Sequence, residues 1–119
     1  MLISLWATWC APCRAEHPEL QKLYDQLKDR ADVAVISFNV DVGDDVAKVA
    51  PYMAENHYTF PVVLANDFVD AYLPEVFIPQ TWFLDGKGSL QWMRQGFPTD
   101  ENWQQTMMTM LEKVLKGSQ

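Results

Sequence analysis

Residues 9–13 read WCAPC and contain the only two cysteines of the chain, Cys10 and Cys13. The pair follows an apolar run at residues 2–7 and stands at the start of a segment with helical periodicity. A thiolate at a helix N-terminus is stabilised by unpaired backbone N–H groups and by the helix dipole, which lowers the thiol pKa. This context predicts dithiol and disulfide redox chemistry, with Cys10 as the accessible attacking thiolate and Cys13 as the inner, resolving thiol.

Three other interpretations of the cysteine pair are a structural disulfide, a zinc site and a copper site. A purely structural disulfide is disfavoured, because closing so short a loop constrains the unfolded chain very little. Zinc sites use the same spacing but need further ligands, and His17 and His57 are both interpreted as surface or satisfied residues. A copper-binding or metal-delivery module, with Cys10 and Cys13 as soft ligands beside His17 or an external group, remains the alternative function.

Length and composition limit the classes of function. The 119 residues predict one domain, 1–119, and 49% hydrophobic with 21% charged residues is typical of a globular protein. A net charge of -7 repels phosphates and anionic lipids, so neither nucleic acid nor a membrane surface is the expected partner. The chain shows no membrane span and no export signal, and a buried strand at its first residues predicts an upstream segment outside this sequence.

Hydrophobic periodicity predicts an α/β domain built on a strand–helix–strand unit. Pro18 is expected to kink the first helix, and Asp41, Asp44 and Asp45 are interpreted as helix caps. Met107 and Met110 are interpreted as core residues. The predicted elements are a strand at 2–7, a helix at 11–29, a strand at 33–40, a helical insertion at 44–56, a strand at 60–64, a helical turn at 67–73, strands at 80–85 and 89–95, and a last helix capped by Thr99.

Glu16 stands within the apolar stripe of the first predicted helix, three residues after Cys13. Residues three apart on a helix are neighbours, so the carboxyl group could exchange a proton with the inner thiol. Burial should raise the pKa of the carboxyl group toward the range of a general acid or base. The predicted stripe consists of Cys13, Glu16, Leu20, Leu23, Tyr24 and Leu27.

With these segments in view, the chain resembles the TlpA/ResA-like branch of the thioredoxin superfamily over essentially all of its length. The resemblance implies a thioredoxin-like fold, with a central mixed sheet of four to five strands flanked by helices, a helical insertion after the second strand, and no N-terminal hairpin. The segments that carry it are residues 6–16 (WATWCAPCRAE) with Pro18 and Leu20, residues 60–63 (FPVV), residues 79–86 (PQTWFLDG) and Gly96.

The resemblance also implies site residues. It assigns proton transfer to Glu16, because Ser4 occupies the position of the buried aspartate of thioredoxin proper. It implies a cis Ile78–Pro79 bond, which would turn the backbone of Ile78 toward Cys10 for strand-like pairing with a peptide. Substrate contacts are then expected from Trp9, Pro12, Ile78 and Pro79, while Phe77 departs from the glycine that is usual in the family.

The function implied by the resemblance is an exported, for example periplasmic, thiol-disulfide oxidoreductase without a cofactor. Its expected partners are protein substrates with disulfides or dithiols and a separate thiol electron donor, with a reductant role of the kind used in cell redox homeostasis and cytochrome c maturation. Peroxide reduction is disfavoured, since the sequence around Cys10 differs from that of a peroxidatic cysteine. A redox-inactive interaction domain would instead fail to reduce insulin.

Overall fold

The computed structural model describes residues 1–67, 77–98 and 102–117. Strands and helices alternate in the first half of the chain, and a hairpin and a long helix complete the second half. The elements are β1 Leu2–Trp6, α1 Ala11–Leu27, β2 Val35–Asn39, a 3-10 helix Gly43–Lys48, α2 Val49–Glu55, β3 Val62–Leu64, β4 Gln80–Leu84, β5 Leu90–Gln95 and α3 Trp103–Gly117.

The five strands form one mixed sheet in the order β3-β2-β1-β4-β5. β2 pairs in parallel with β1 and β3, whereas β4 runs antiparallel to both β1 and β5. β1 lies at the centre with all five of its residues buried, which explains why its sequence is a continuous apolar run rather than an alternating one. The predicted mixed sheet with flanking helices is confirmed.

The two faces of the sheet pack separate groups of apolar side chains. On one face Leu2 and Phe83 pack with residues of α1 and α3, including Leu20 and Met107, in the larger hydrophobic core. On the other face Ile3 and Leu5 pack with side chains of β2 and β4. Because side chains alternate along a strand, Ser4 projects from the same face as Leu2, toward the helices.

The structure contains the predicted elements, and most of them are shorter than predicted. α1 is one helix from Ala11 to Leu27 with Pro18 inside it, and its buried residues match the predicted stripe except that Tyr24 is partly exposed and His17 is added. Met107 is confirmed as a core residue, and Met110 packs against the core while partly exposed. The Thr99 cap and residues 68–73 of the predicted helical turn lie outside the described residues.

The predicted acidic caps of the insertion are wrong. Val42 precedes the 3-10 helix, and no side chain caps that helix. Asp45 instead forms an ion pair with Lys48 at 2.8 Å, and Asp41 is a buried residue bonded to neighbouring loops. The partner of Asp45 is only three residues away in the sequence, whereas Thr8, which bonds to Asp41, is 33 residues away and is brought close by the fold.

The predicted β4–β5 turn is confirmed, and Asp85 organises it. One carboxylate oxygen of Asp85 accepts hydrogen bonds from the backbone N–H groups of Lys87, at 2.8 Å, and Ser89, at 3.0 Å. Gly88 has a φ of 81°, a left-handed conformation that glycine adopts without steric cost. The turn therefore fixes the register of β5, including the position of Arg94.

Candidate active site

The cysteine pair lies at the start of α1, a few residues after the end of β1. Cys10 is the N-cap residue of α1, and its Sγ accepts a hydrogen bond from the backbone N–H of Cys13 at 3.3 Å. The two residues form a disulfide, with their Cα atoms 5.3 Å apart. A sulfur that already receives a helix N-terminal N–H is placed to be stabilised as a thiolate once the pair is reduced.

The expectation that Cys10 is freely accessible is wrong for the oxidised pair. Cys10 is only 5% exposed and Cys13 is fully buried. Both belong to one apolar cluster with Trp6, Val49 and Ile78. Cys10 is still the more exposed of the two, which is the order that the redox hypothesis requires.

Glu16 is buried below the disulfide, with 1% of its surface exposed. It lies one helical turn after Cys13, and its Oε1 accepts a hydrogen bond from the hydroxyl of Ser4 at 3.1 Å. Its Oε2 is buried as well, and the indole of Trp103 is close enough to act on the carboxyl group. Ser4 of β1 thus holds the carboxyl group of Glu16 on α1.

Burial raises the pKa of Glu16 to about 7. The hydroxyl of Ser4, the positive charge of Arg94 and the indole of Trp103 act in the opposite direction, but desolvation outweighs them. The predicted burial and direction of the pKa shift are confirmed. A carboxyl group with this pKa exists in both protonation states near neutral pH, as a proton donor and acceptor must.

The peptide bond between Ile78 and Pro79 is cis, as predicted. Ile78 packs against the cluster that contains Cys10 and Cys13, so the loop before β4 reaches the disulfide. Pro79 is buried, and its carbonyl accepts a hydrogen bond from Gly96 N–H at 2.7 Å. The structure therefore brings together two segments that are about 65 residues apart in the sequence.

Three apolar side chains near these segments are exposed. Trp9 is 64% exposed immediately before Cys10, and Phe77 is 68% exposed immediately before Ile78. Pro12, between the cysteines, is exposed as well. In contrast Trp6 is fully buried and packs against the cysteines.

His17 lies in the interior and not at the surface, and its Nδ1 has the protein partner expected of a satisfied histidine. It is fully buried, its Nδ1 lies 2.6 Å from the hydroxyl of Tyr52, and its Nε2 has no partner among the described residues. Rings of Trp6, Tyr52, Tyr58 and Phe60 surround it, with the Trp6 ring edge-on at a centroid distance of 4.5 Å. Desolvation lowers the pKa of His17 to about 3, so the imidazole is neutral at pH 7.

Asp41 joins the loops after β1 and β2 and was not foreseen in this position. Its carboxylate accepts hydrogen bonds from the backbone N–H of Thr8 at 2.9 Å and from the Thr8 hydroxyl at 2.8 Å. Asn39 donates a third, at 2.7 Å. Thr8 is two residues before Cys10, so a buried charge anchors the segment that leads into the cysteine pair.

The described ranges were searched for metal-binding groups and membrane spans. Within 1–67, 77–98 and 102–117, no cluster of three or more His, Cys, Asp or Glu residues is placed to hold a metal ion. None of the helices described is long and apolar enough to cross a bilayer.

Solved structures and curated proteins are similar to this chain. The structure of StoA from Bacillus subtilis superimposes with a TM-score of 0.73 and 27% identity, covering 89% of this chain and 80% of that one. The thioredoxin-like protein YneN of the same organism is 31% identical over 90% of this chain. The thiol:disulfide interchange protein DsbE of Yersinia pestis is 29% identical over 99% of it. The chain spans 62% and 60% of the length of these two relatives.

Fold and site together define a thioredoxin-like domain in which two cysteines, separated by two residues, stand at the start of the first helix. Residues 1–93 match the AhpC/TSA family. The chain belongs to that family, and its similarity to YneN and DsbE agrees with the TlpA/ResA-like resemblance of its active-site segment.

Proposed function

We propose that this protein is a thiol-disulfide oxidoreductase that reduces disulfides of partner proteins through Cys10 and Cys13. The observation that carries the proposal is the disulfide at the N-terminus of α1, with the outer sulfur on a helix N–H and a buried carboxyl group one turn after the inner one. The related DsbE proteins, which are named thiol:disulfide interchange proteins, support the same chemistry.

The reaction proceeds in two exchange steps. The Cys10 thiolate attacks one sulfur of the partner disulfide, which forms a mixed disulfide and releases the other partner sulfur as a thiolate. The Cys13 thiolate then attacks the sulfur of Cys10 and releases the second partner thiolate. The partner gains two electrons and the Cys10–Cys13 pair loses two, so a separate thiol donor must reduce the pair before the next cycle.

Glu16 supplies the proton acceptor for the second step. Cys13 is fully buried, so its thiol needs a base inside the protein in order to become a nucleophile. Glu16 is buried on the same face of α1, and with a pKa of about 7 it is partly ionised at neutral pH. The carboxylate accepts the Cys13 proton directly or through water.

A trapping experiment tests the order of the two sulfurs. Cys13→Ser should accumulate a mixed disulfide between Cys10 and a partner, whereas Cys10→Ser should accumulate none, because the buried sulfur does not meet the partner first. Both variants should lose catalysis of insulin reduction by dithiothreitol. If Cys10→Ser retains the activity, or traps partner as well as Cys13→Ser does, the assignment of the attacking sulfur is wrong.

The direction of electron flow is tested by equilibrium with glutathione and dithiothreitol buffers. A reductant should have a potential at or below about −230 mV, in the range from glutaredoxins to thioredoxin, while a strong oxidant such as DsbA lies near about −120 mV. The proposal includes a periplasmic or other exported location, supported by the family resemblance. Fractionation of native cells with an antibody to this chain tests that location.

The copper-binding alternative makes a different prediction. It requires the reduced protein to bind Cu(I) stably in competition with a chelator, with His17 or an external group as a further ligand. In the structure His17 Nδ1 is engaged with the Tyr52 hydroxyl. If His17→Phe no longer binds Cu(I), the copper-binding alternative is favoured. If the variant still binds Cu(I), Cys10 and Cys13 are the ligands that the protein itself provides.

A further inference from the structure

A row of polar side chains crosses the sheet next to Glu16. In the strand register Ser4 of β1 lies opposite Thr81 of β4, and Thr81 lies opposite Arg94 of β5. Residues directly opposite each other in antiparallel strands project from the same face, with Cβ atoms about 5 Å apart. Because Ser4 donates its hydroxyl to Glu16, this is the face that carries the carboxyl group.

The side chain of Arg94 is enclosed on that face. Its Nε and Nη2 are shielded from solvent, although the residue as a whole is partly exposed. Its guanidinium lies 5.7 Å from the ring centroid of Trp92, which packs with Phe83 in the larger hydrophobic core. The positive charge of Arg94 therefore lies on the side of the sheet where Glu16 is buried.

The elements packed around Glu16 contribute different chemical groups. β1 provides the Ser4 hydroxyl, α3 the indole of Trp103 and α1 the sulfur of Cys13, and all three are uncharged in the oxidised protein. β5 provides Arg94, the charged group that acts on Glu16 within the described part of the chain. Desolvation favours the neutral carboxyl group, so the charge of Arg94 opposes burial and lowers the pKa of Glu16.

We propose that Arg94 is a positioning residue for proton transfer, whose guanidinium stabilises the Glu16 carboxylate that receives the Cys13 proton. The inference rests on the proposed function for its catalytic consequence, but the electrostatic link between Arg94 and Glu16 does not. Without the guanidinium, a smaller fraction of Glu16 is ionised at neutral pH and able to accept a proton. Arg94 thereby sets the pH at which the inner thiol becomes reactive.

The primary test is a carboxyl ¹³C NMR titration of Glu16 in the full-length oxidised protein, with the signal assigned by Glu16→Gln. Arg94→Met removes the charge and keeps most of the apolar side chain, and it should raise the midpoint of Glu16 by about one pH unit. Arg94→Lys keeps the charge and should shift the midpoint by less than half as much. Lys87→Met removes one positive charge from the exposed hairpin turn and should leave the midpoint unchanged.

A kinetic measurement then tests the catalytic consequence. Reduced protein is mixed with oxidised glutathione, and the rate at which Cys13 resolves the mixed disulfide on Cys10 is followed against pH. A one-unit rise in the midpoint reduces the ionised fraction of Glu16 at pH 7 about fivefold, so resolution should slow about fivefold in Arg94→Met. The rate should recover at pH 8.5 to 9, which a merely structural defect would not allow.

Three outcomes overturn parts of the inference, and they can be told apart. If Glu16 titrates in Arg94→Met as it does in Lys87→Met, or at a lower pH, the link is refuted. If the midpoint rises but resolution is unaffected, Arg94 influences Glu16 without a part in catalysis. If wild-type protein does not react with glutathione at all, the proposed function fails while the titration still decides the link. Should Arg94→Met not fold, Arg94→Gln takes its place in both measurements.

Discussion

Glu16 and His17 are adjacent in the sequence, and burial shifts their pKa values in opposite directions. Burial raises the pKa of Glu16 to about 7, so the carboxyl group stays neutral in acid. Burial lowers the pKa of His17 to about 3, so the imidazole stays neutral above that pH. Both side chains follow Cys13 by one helical turn, on the buried side of α1. The environment of the inner sulfur is therefore uncharged over much of the acidic range, and it gains a negative charge as Glu16 ionises near neutral pH.

Glu16→Gln should change the pH dependence of stability of the oxidised protein. The folded-state pKa of Glu16, about 7, lies above the value of 4.5 that is usual for a solvent-exposed glutamate, so the wild type loses stability as pH rises from about 4.5 to about 7. From pH 4 to pH 8 the free energy of unfolding of the variant, relative to the wild type, should rise by about 3 kcal/mol. Urea denaturation at the two pH values measures this difference.

Glu55→Gln is the matched control, because Glu55 is exposed at the end of α2. Its stability relative to the wild type should vary by less than about 0.5 kcal/mol over the same range. A flat difference for Glu16→Gln as well would show that Glu16 titrates as an ordinary surface carboxyl group. The proton-acceptor assignment would then fail.

Among the secondary-structure elements, the loops after β1 and β2 matter most for the site. The carboxylate of Asp41, which is 1% exposed, receives both hydrogen bonds that the backbone N–H and hydroxyl of Thr8 donate. β1 and β2 are parallel neighbours, so their carboxyl ends meet at the same edge of the sheet. This connection fixes the exit of β1 and thereby the starting point of α1, on which the position of Cys10 depends.

Thr8→Val should loosen that connection while keeping the shape of the side chain. Loss of a hydrogen bond to a buried carboxylate is expected to cost about 1.5–3 kcal/mol of unfolding free energy. Insulin reduction should fall along with it, because the N-cap geometry of Cys10 becomes less defined. Thr59→Val, at an exposed threonine bonded to Gln21, serves as the control. Equal losses of stability and activity in the two variants would argue against a special contribution of Asp41.

At the scale of the whole molecule, the buried histidine dominates stability in acid. The pKa of His17 is about 3 when folded and near 6.5 as a free side chain, so the unfolded state binds the proton first. Stability attributable to neutral His17 is complete above pH 6.5 and is lost as pH falls toward 3. Glu16 changes stability in the opposite sense between pH 4.5 and 6.5, so the two effects partly cancel there and acid unfolding should steepen below pH 4.5.

His17→Phe should reduce the loss of unfolding free energy as the pH falls. Between pH 6.5 and pH 4.5 the wild type loses about 2–3 kcal/mol through His17, and the variant should not. Loss of the hydrogen bond to Tyr52 lowers the whole stability curve without changing its slope. Thermal unfolding at several pH values measures the slope, with His57→Asn as control because His57 is exposed and has a φ of 56°. An unchanged slope in His17→Phe would contradict the burial of a neutral imidazole.

Local sequence patterns predicted much of the architecture and the part of the site that lies at the start of α1. The apolar run of β1, the periodicity of α1 and the turn residues 85–88 specify elements through nearest-neighbour geometry, and the structure contains all three. Cys10, Cys13 and Glu16 lie within two turns of one helix, so their spacing alone placed them together. The cis Ile78–Pro79 bond came from the family resemblance, because X-Pro sequence alone favours trans.

The sequence alone specifies the chemistry of the cysteine pair, because two thiols stand at a helix start with a carboxyl group on the same helical face. The partners from distant strands and loops depend on the fold: the Ser4 hydroxyl and the charge of Arg94 for Glu16, Tyr52 for His17, Asp41 for Thr8 and Ile78 for Cys10. The physical reason is that pKa and burial depend on groups brought close in space, and strand register sets those contacts over separations that local periodicity does not encode.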